Sequence, residues 1–267
     1  MQNIDEILRL LNTVNIEKAI DVYIPSLKKD IKFKNINTGQ QKRLIKTVID
    51  NPIFQTRLVY AVYEIVSENC LDSNALSSLT YLDSIAAVIQ LRVVNHGNKY
   101  NALIGGESYV MDLSTITESS KTLVFLAAED YTESVYTVNV GLPTVIEQYQ
   151  NEKQIRGKTL GTHTEEVNAV EAVGDAFIGE ISKFIKEITV EVEGKATPLN
   201  YKTLSYAQRY QVLEKLPISL VKNIMLYVEK ATELQRQLLT FTGTNAKGQS
   251  RPAIVPLDSS LFNLNDS

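Results

Sequence analysis

Residues 20–48 read IDVYIPSLKKDIKFKNINTGQQKRLIKTV, and the reading of this stretch decides the fold. Ile20, Val22 and Ile24 alternate with Asp21 and Tyr23. Pro25-Ser26 and the charged Lys28-Lys29-Asp30 break the run, and alternation returns with Ile31, Phe33 and Ile36 against Lys32 and Lys34. Two half-buried strands around a polar turn predict a β-hairpin. Thr38 to Gln41 fits a capping box, in which the Thr hydroxyl accepts from a backbone N–H three residues on and Gln41 reaches back. Leu44, Ile45 and Val48 then begin a helical face. A two-stranded hairpin leaves unpaired N–H and C=O groups on its outer edges unless the rest of the fold covers them. Lys28, Lys29, Lys32 and Lys34 are expected on that edge, either to block non-specific pairing or to meet an acidic partner surface.

Working outward, residues 4–12 place Ile4, Ile7, Leu8 and Leu11 on one helical face. Asn51-Pro52 reads as an N-cap followed by Pro at the first helical position, opening a helix to about Asn69 with Leu58, Val62, Ile65 and Val66 inward. Leu71 to Ser78 reads as a loop, and a helix follows over 79–94 with Leu82, Ile85, Ala86 and Ile89 buried. Residues 99–141 then carry four β-type runs, YNALI, SYVMDL, KTLVFL and SVYTVNV, expected to form one small antiparallel sheet. A short helix over 144–151 leads into the polar stretch NEKQIRGKTLGTHTEE. Val167, Val170, Val173, Phe177 and Ile181 recur at helical spacing. Residues 185–193 alternate as a strand that turns at Gly194. Ser205 to Gln208 is a second capping-box match, Leu216-Pro217 breaks its helix, and Ile218 to Leu239 is the longest helix. In that helix Val221, Ile224, Met225, Val228 and Leu238 are expected inward. Gly243, Gly248 and Pro252 end helical order, with a short strand at Ala253-Ile254-Val255.

The expected fold is α+β: mainly helical, with an N-terminal β-hairpin, a small central antiparallel sheet and a C-terminal helical portion. Three portions follow from this pattern. Residues 1–95 hold the hairpin and helices, 96–150 an inserted β-rich portion, and 151–267 the later strand, helices and tail.

Composition narrows the function classes. The chain has 267 residues, 44% hydrophobic and 22% charged, enough to bury about 70–75% of its unfolded surface. A formal net charge of −4 is too slight and too mixed to point to nucleic acid or a membrane. No apolar run approaches the roughly 20 residues a bilayer span needs. The opening MQNIDEILRLLN lacks a basic n-region and reads as an amphipathic helix, not a signal peptide. Cys70 is the only cysteine, which fits a reducing compartment. The 13 tyrosines suit either contact surfaces or the core boundary.

Motifs with chemistry are absent. His96 and His163 both fall in expected loops without zinc spacing. Gly157-Lys158-Thr159 has the ending of a phosphate loop but Glu152 where the first Gly belongs. Residues 243–250 have the glycine spacing but Gln249 in place of the lysine. Glu187, Glu191 and Glu193 read as a solvated strand edge. Asp83 and Arg92 lie on nearly opposite faces of one helix and cannot pair. Lys42, Arg43 and Lys46 form a helix face read as solvated. No catalytic, metal or cofactor site is expected, and the chain reads as a protein that works by contact rather than an enzyme. A small-molecule enzyme using His96 or His163 is the remote alternative.

Several stretches carry a family resemblance. VYIPSLKKDIKFKNINTGQQKRLI (22–45) resembles the opening of T-even-type bacteriophage baseplate proteins, the hub subunit and hub-assembly group: an extended strand with Pro-Ser, a turn, a second strand with a basic residue, and a Gln/Lys-rich helix. LTYLDSIAAVIQLRVVNHG (79–97) looks like their next helix, with an early Asp and an Arg before a closing Gly. LSYAQRYQVLEKLPISLVKNIMLYVEK (204–230) is similar to their C-terminal segment, where Leu-Pro joins two helices. IVPLDSSLF (254–262) resembles their closing strand and aromatic ending. The matches lie at both ends in the right order, and the region 98–150 matches only loosely. The resemblance implies a component of the virion tail baseplate, folded and assembled in the host cytoplasm. Its partners would be other baseplate, hub or tail proteins, with no small-molecule substrate and no catalytic residues to carry over. A transient hub-assembly chaperone, absent from the mature virion, is the alternative.

Overall fold

A computed structural model describes residues 18–49, 56–159, 178–257 and 261. The expected helix over 4–12, the Asn51-Pro52 cap, the spacing from Val167 to Phe177, and His163 lie outside these residues. The chain is α+β. Its first elements are β1 (Ile20–Ile24), β2 (Lys29–Phe33), α1 (Thr38–Ile49), α2 (Thr56–Asn69), α3 (Ser73–Ser78) and α4 (Tyr81–His96). Then come β3 (Lys99–Ile104), β4 (Glu107–Asp112), α5 (Ile116–Thr122), β5 (Glu129–Glu133), β6 (Tyr136–Val140) and α6 (Val145–Thr159). The last are β7 (Ile185–Val192), β8 (Lys195–Leu199), α7 (Tyr206–Leu213), α8 (Ile218–Leu239), β9 (Thr240–Asn245) and β10 (Ser250–Ile254). They form two compact units, residues 1–123 with 235–267, and residues 124–234.

In the first unit β1 and β2 pair antiparallel, with Val22 opposite Ile31 and Asp21 opposite Lys32. Val22, Ile24, Ile31 and Phe33 are buried while Asp21 and Lys32 face outward, as the period-2 pattern requires. The capping box that follows is one residue earlier than expected. Asn37 Oδ1 accepts from Gln40 N at 2.9 Å, and Gln40 Oε1 accepts from Asn37 N at 3.0 Å. The stretch Asn37-Thr38-Gly39-Gln40-Gln41 holds two overlapping candidates, and burial selects between them. Gln40 is buried and also donates to Glu68 on α2 at 2.8 Å. Arg43 is not simply solvated: its guanidinium forks onto the Glu68 carboxylate at 3.0 and 2.6 Å, and this hydrogen bond, ahead of burial, holds the Glu68 pKa low. Asp72 caps a short helix, α3, where a loop was expected, accepting from Asn74 N and Ala75 N.

Helix α4 is the centre of this unit. Every residue from Tyr81 to Arg92 is buried. Its apolar residues go all the way round instead of forming a stripe, the pattern of a helix enclosed on all sides. Expected inward residues Leu82, Ile85, Ala86 and Ile89 are there, and so is the rest of the helix surface.

The four β-runs of residues 99–141 do not make one sheet. β3 and β4 join β9 and β10 in the order β10-β9-β4-β3, and β5 and β6 join β7 and β8 in the order β5-β6-β7-β8, all antiparallel. Each hairpin is local, but the partner on its inner edge comes from a distant part of the chain. KTLVFL is not a strand: it starts in α5, and Leu123 to Ala128 have no regular structure. The strand is instead Glu129–Glu133 (EDYTE), which lies between the third and fourth expected runs. Its polar side chains are held across the hairpin by Asp130 with Asn139 and by Thr132 with Thr137. β9 was also missed, because Gly243 read as a breaker. There the glycine is needed for close packing: a Cβ would lie 3.0 Å from Tyr109 Cβ and 3.2 Å from Met111 Cγ.

In the second unit α6 begins as the short helix expected over 144–151 and continues through the polar stretch to Thr159. It is opened by Thr144, whose Oγ1 accepts from Glu147 N and whose N donates to Glu147 Oε2. β7, its turn at Gly194, the Ser205–Gln208 capping box and the Leu216-Pro217 break stand as expected. On α8 the buried stripe within this unit is Leu220, Ile224, Tyr227, Ala231 and Leu234, while Val221, Met225 and Val228 are half-buried on its flank.

Candidate contact surface

The hairpin lysines are placed by β1 and β2. Lys28 sits in the turn with φ +50° and is exposed. Lys29 opens β2 opposite Ile24 and is exposed. Lys32 pairs across the strands with Asp21 at 2.8 Å, with both side chains more than half exposed, a pair worth about 0–1 kcal/mol. Lys34 follows β2 and is half-buried. Lys28 therefore ends the turn and Lys29 begins β2 beside it, Lys32 stands on the outward face, and Lys34 leaves at the far end.

The edges these lysines were expected to guard are largely covered. Along β1, Gln90 of α4 clamps one residue from both sides: Tyr23 N donates to Gln90 Oε1 and Gln90 Nε2 donates to Tyr23 O, both at 2.9 Å. Along β2, Leu71 N donates to Lys32 O at 2.9 Å, and Lys34 N donates to Asn69 O at 2.8 Å. The rest of the fold thus supplies partners along both edges. What the hairpin presents to solvent is its turn and outward face, with Lys28, Lys29, Asp30, Asp21 and Lys32.

Asp83 is the hairpin's other anchor and was read only as a group that could not meet Arg92. It is fully buried. Its carboxylate accepts from Ser26 N at 2.9 Å, Ser26 Oγ at 2.6 Å, Thr80 N at 2.7 Å and Thr80 Oγ1 at 2.7 Å. Burial still pushes its pKa up, against the lowering by those bonds. Thr80-x-x-Asp83 is the capping-box signature before an apolar run, so the local half of this cluster was in the sequence. The contact with Ser26, 57 residues away, was not. Arg92 holds backbone carbonyls: those of Leu261 at 3.0 Å and Lys99 at 2.8 Å, and that of Gly97.

His96 is the last residue of α4, not a loop residue. Burial, then Arg92, holds its pKa below the usual value. Glu187 and Glu191 lie exposed on β7, and Glu193 sits in the following turn. In the second unit Glu147 lies between two ammonium groups, with Lys186 Nζ and Lys202 Nζ each at 2.5 Å. Burial alone would raise its pKa, and those two hydrogen bonds hold it low instead. Tyr227, fully buried, donates to Ala127 O at 3.0 Å, and burial pushes its pKa up to about 12. Tyr109, Tyr201 and Tyr227 are therefore core residues. Among the described residues no group of three or more His, Cys, Asp or Glu is placed to hold a metal ion, and no helix is long and apolar enough to cross a membrane. Comparison with known proteins gives no match to a family model, a curated protein or a solved structure.

Proposed function

We propose that this chain is a structural or assembly component of a contractile phage tail baseplate hub, acting by protein–protein contact and not by catalysis. The observation that carries the proposal is the ordered resemblance of residues 22–45, 79–97, 204–230 and 254–262 to baseplate hub and hub-assembly proteins. The geometry adds a consistent role for the first two of these stretches. One forms the hairpin, and the other forms the helix whose Asp83 and Gln90 hold it. A hairpin anchored in this way offers its turn and outward face as a rigid surface, with little conformational entropy left to lose on binding. Lys28 and Lys29, at the end of the turn and the start of β2, are the first candidates to meet an acidic partner surface. Partners are other baseplate, hub or tail proteins.

Mass spectrometry of tails purified from infected cells, together with mature virions, tests this. A hub component is found in both at constant ratio to other baseplate proteins. A chaperone is found in assembly intermediates and not in virions. Absence from both overturns the proposal.

A further inference from the structure

The two four-stranded sheets end on β3 and β10 in the first unit and on β5 and β8 in the second. An outer strand carries a row of backbone N–H and C=O groups that can pair with another chain, and proteins guard it with proline or charge. In β10, Val255 N donates to Leu239 O at 2.9 Å, which turns the odd-numbered residues toward β9 and leaves Pro252 on the outer edge. In β8, the two-residue turn at Glu193-Gly194 turns the odd-numbered residues toward β7 and leaves Pro198 on the outer edge. β5 carries Glu129, Asp130 and Glu133. The β1–β2 hairpin is covered by Gln90 and by Asn69 to Leu71.

β3 has neither guard, for Tyr100 to Ile104 hold no proline and no charge. Ile104 and Glu107 close a two-residue turn in which Gly105 and Gly106 have φ of +61° and +85°. The closing pair of such a turn exchanges both hydrogen bonds. Tyr100, Ala102 and Ile104 therefore bond β4, and Leu113 N donating to Asn98 O at 2.7 Å continues the same alternation. Lys99, Asn101 and Leu103 point their backbone groups away from β4. The Lys99 carbonyl is taken by Arg92 at 2.8 Å. Among the described residues nothing bonds the outward N–H and C=O of Asn101 and Leu103. Both residues are exposed, Leu103 by 80%.

We propose that β3 pairs antiparallel with β3 of a second copy of this chain, about a twofold axis at Ala102. The open groups lie evenly on either side of Ala102, so Asn101 exchanges both hydrogen bonds with Leu103 of the second copy, and Leu103 with its Asn101. Every open group of the two residues then has a partner, and Arg92 keeps the Lys99 carbonyl. Lys99 falls beside Gly105 of the second copy, so no like charges meet. The same pairing at β5 would set carboxylates opposite each other, and at β8 or β10 it would meet a proline. The two Leu103 side chains become diagonal neighbours on one face, within reach of each other. A single pair of edges buries less than a standard interface, so Kd is on the order of 100 μM. This self-pairing goes beyond the tail reading and does not depend on it.

The test is sedimentation velocity of the full chain from about 10 μM to about 1 mM, a range that brackets this Kd. A reversible monomer–dimer equilibrium is expected. Asn101→Lys with Leu103→Lys sets lysines opposite each other and should weaken the dimer at least about tenfold. Asn101→Lys with Leu103→Glu sets opposite charges across the same two positions and should tighten it about fivefold. In a register with Asn101 opposite itself, that variant would oppose two lysines and weaken the dimer instead. All four substitutions fall on exposed side chains, and an unchanged urea midpoint confirms that each variant is folded. Leu103→Pro removes one outward donor from each copy, as Pro252 does on β10, and should weaken the dimer at least about tenfold. A wild-type chain that stays monomeric at about 1 mM would overturn the proposal. So would a dimer that the double-lysine and proline variants leave unchanged, or one that the lysine–glutamate variant weakens. Absence of the chain from tails would overturn the tail reading and leave this result standing.

Discussion

The two helices α4 and α7 begin with the same reciprocal motif and show how much its surroundings matter. At α4, Thr80 and Asp83 cap each other; at α7, Ser205 and Gln208 do the same, with Ser205 N donating to Gln208 Oε1 at 2.9 Å and Gln208 N to Ser205 Oγ at 3.4 Å. The α7 box is exposed and closes one helix end. The α4 box is buried and accepts two further bonds from Ser26 at the hairpin turn, so a local cap becomes a tie between segments 57 residues apart. A cap at the surface competes with water, whereas a buried acceptor that is removed leaves its donors with nothing.

The largest expected effect that sharpens this contrast is Asp83→Ala. It strands the Ser26 and Thr80 donors and should cost about 2–4 kcal/mol in a urea melt. A loss under about 1 kcal/mol would mean that the hairpin is held by apolar packing alone. Ser26→Ala removes only the hydroxyl contact and should cost about 1 kcal/mol. Ser205→Ala should cost about 0.5–1 kcal/mol, and a cost equal to that of Asp83→Ala would erase the distinction.

The two boxes also differ in pH response. Asp83 has its folded-state pKa raised by burial, so the native state takes up its proton more readily than the unfolded chain. Its contribution to stability therefore rises as pH falls from neutral toward the ordinary aspartate range. The stability of wild type relative to Asp83→Asn should increase over that window. The difference between wild type and Ser205→Ala should stay flat, since neither Ser205 nor Gln208 titrates. A flat Asp83→Asn difference would contradict the raised pKa.

How far the sequence was legible follows the same division between local and distant. The β1–β2 hairpin, the α7 box and the full span of α8 are set by neighbours in sequence, and each is readable from period and cap chemistry. The pairing of β4 with β9 and of β6 with β7 depends on contacts more than a hundred and about fifty residues apart, roughly a choice among equivalent polar-edged strands that alternation alone does not make. β5 was hidden because its alternation is polar on both faces. Gly243 was misread because its reason lies in Tyr109 and Met111, not in its neighbours. For the contact surface, the lysines were visible, but the cover over the hairpin edges comes from Gln90 and from Asn69 to Leu71. Nothing within residues 20–48 announces that cover.

As proposed, this chain acts by contact within a phage tail, through the hairpin turn. The most direct measurement is assembly in infected cells carrying Lys28→Glu with Lys29→Glu. Neither lysine holds an ion pair among the described residues, so folding should change by no more than about 0.5 kcal/mol. Reversing Lys32 instead would set two negative charges opposite each other at Asp21 and confuse folding with contact. The expected result is a folded, normally expressed variant that no longer co-purifies with other tail proteins and leaves tails incomplete. Complete tails carrying the double variant at wild-type occupancy would contradict it.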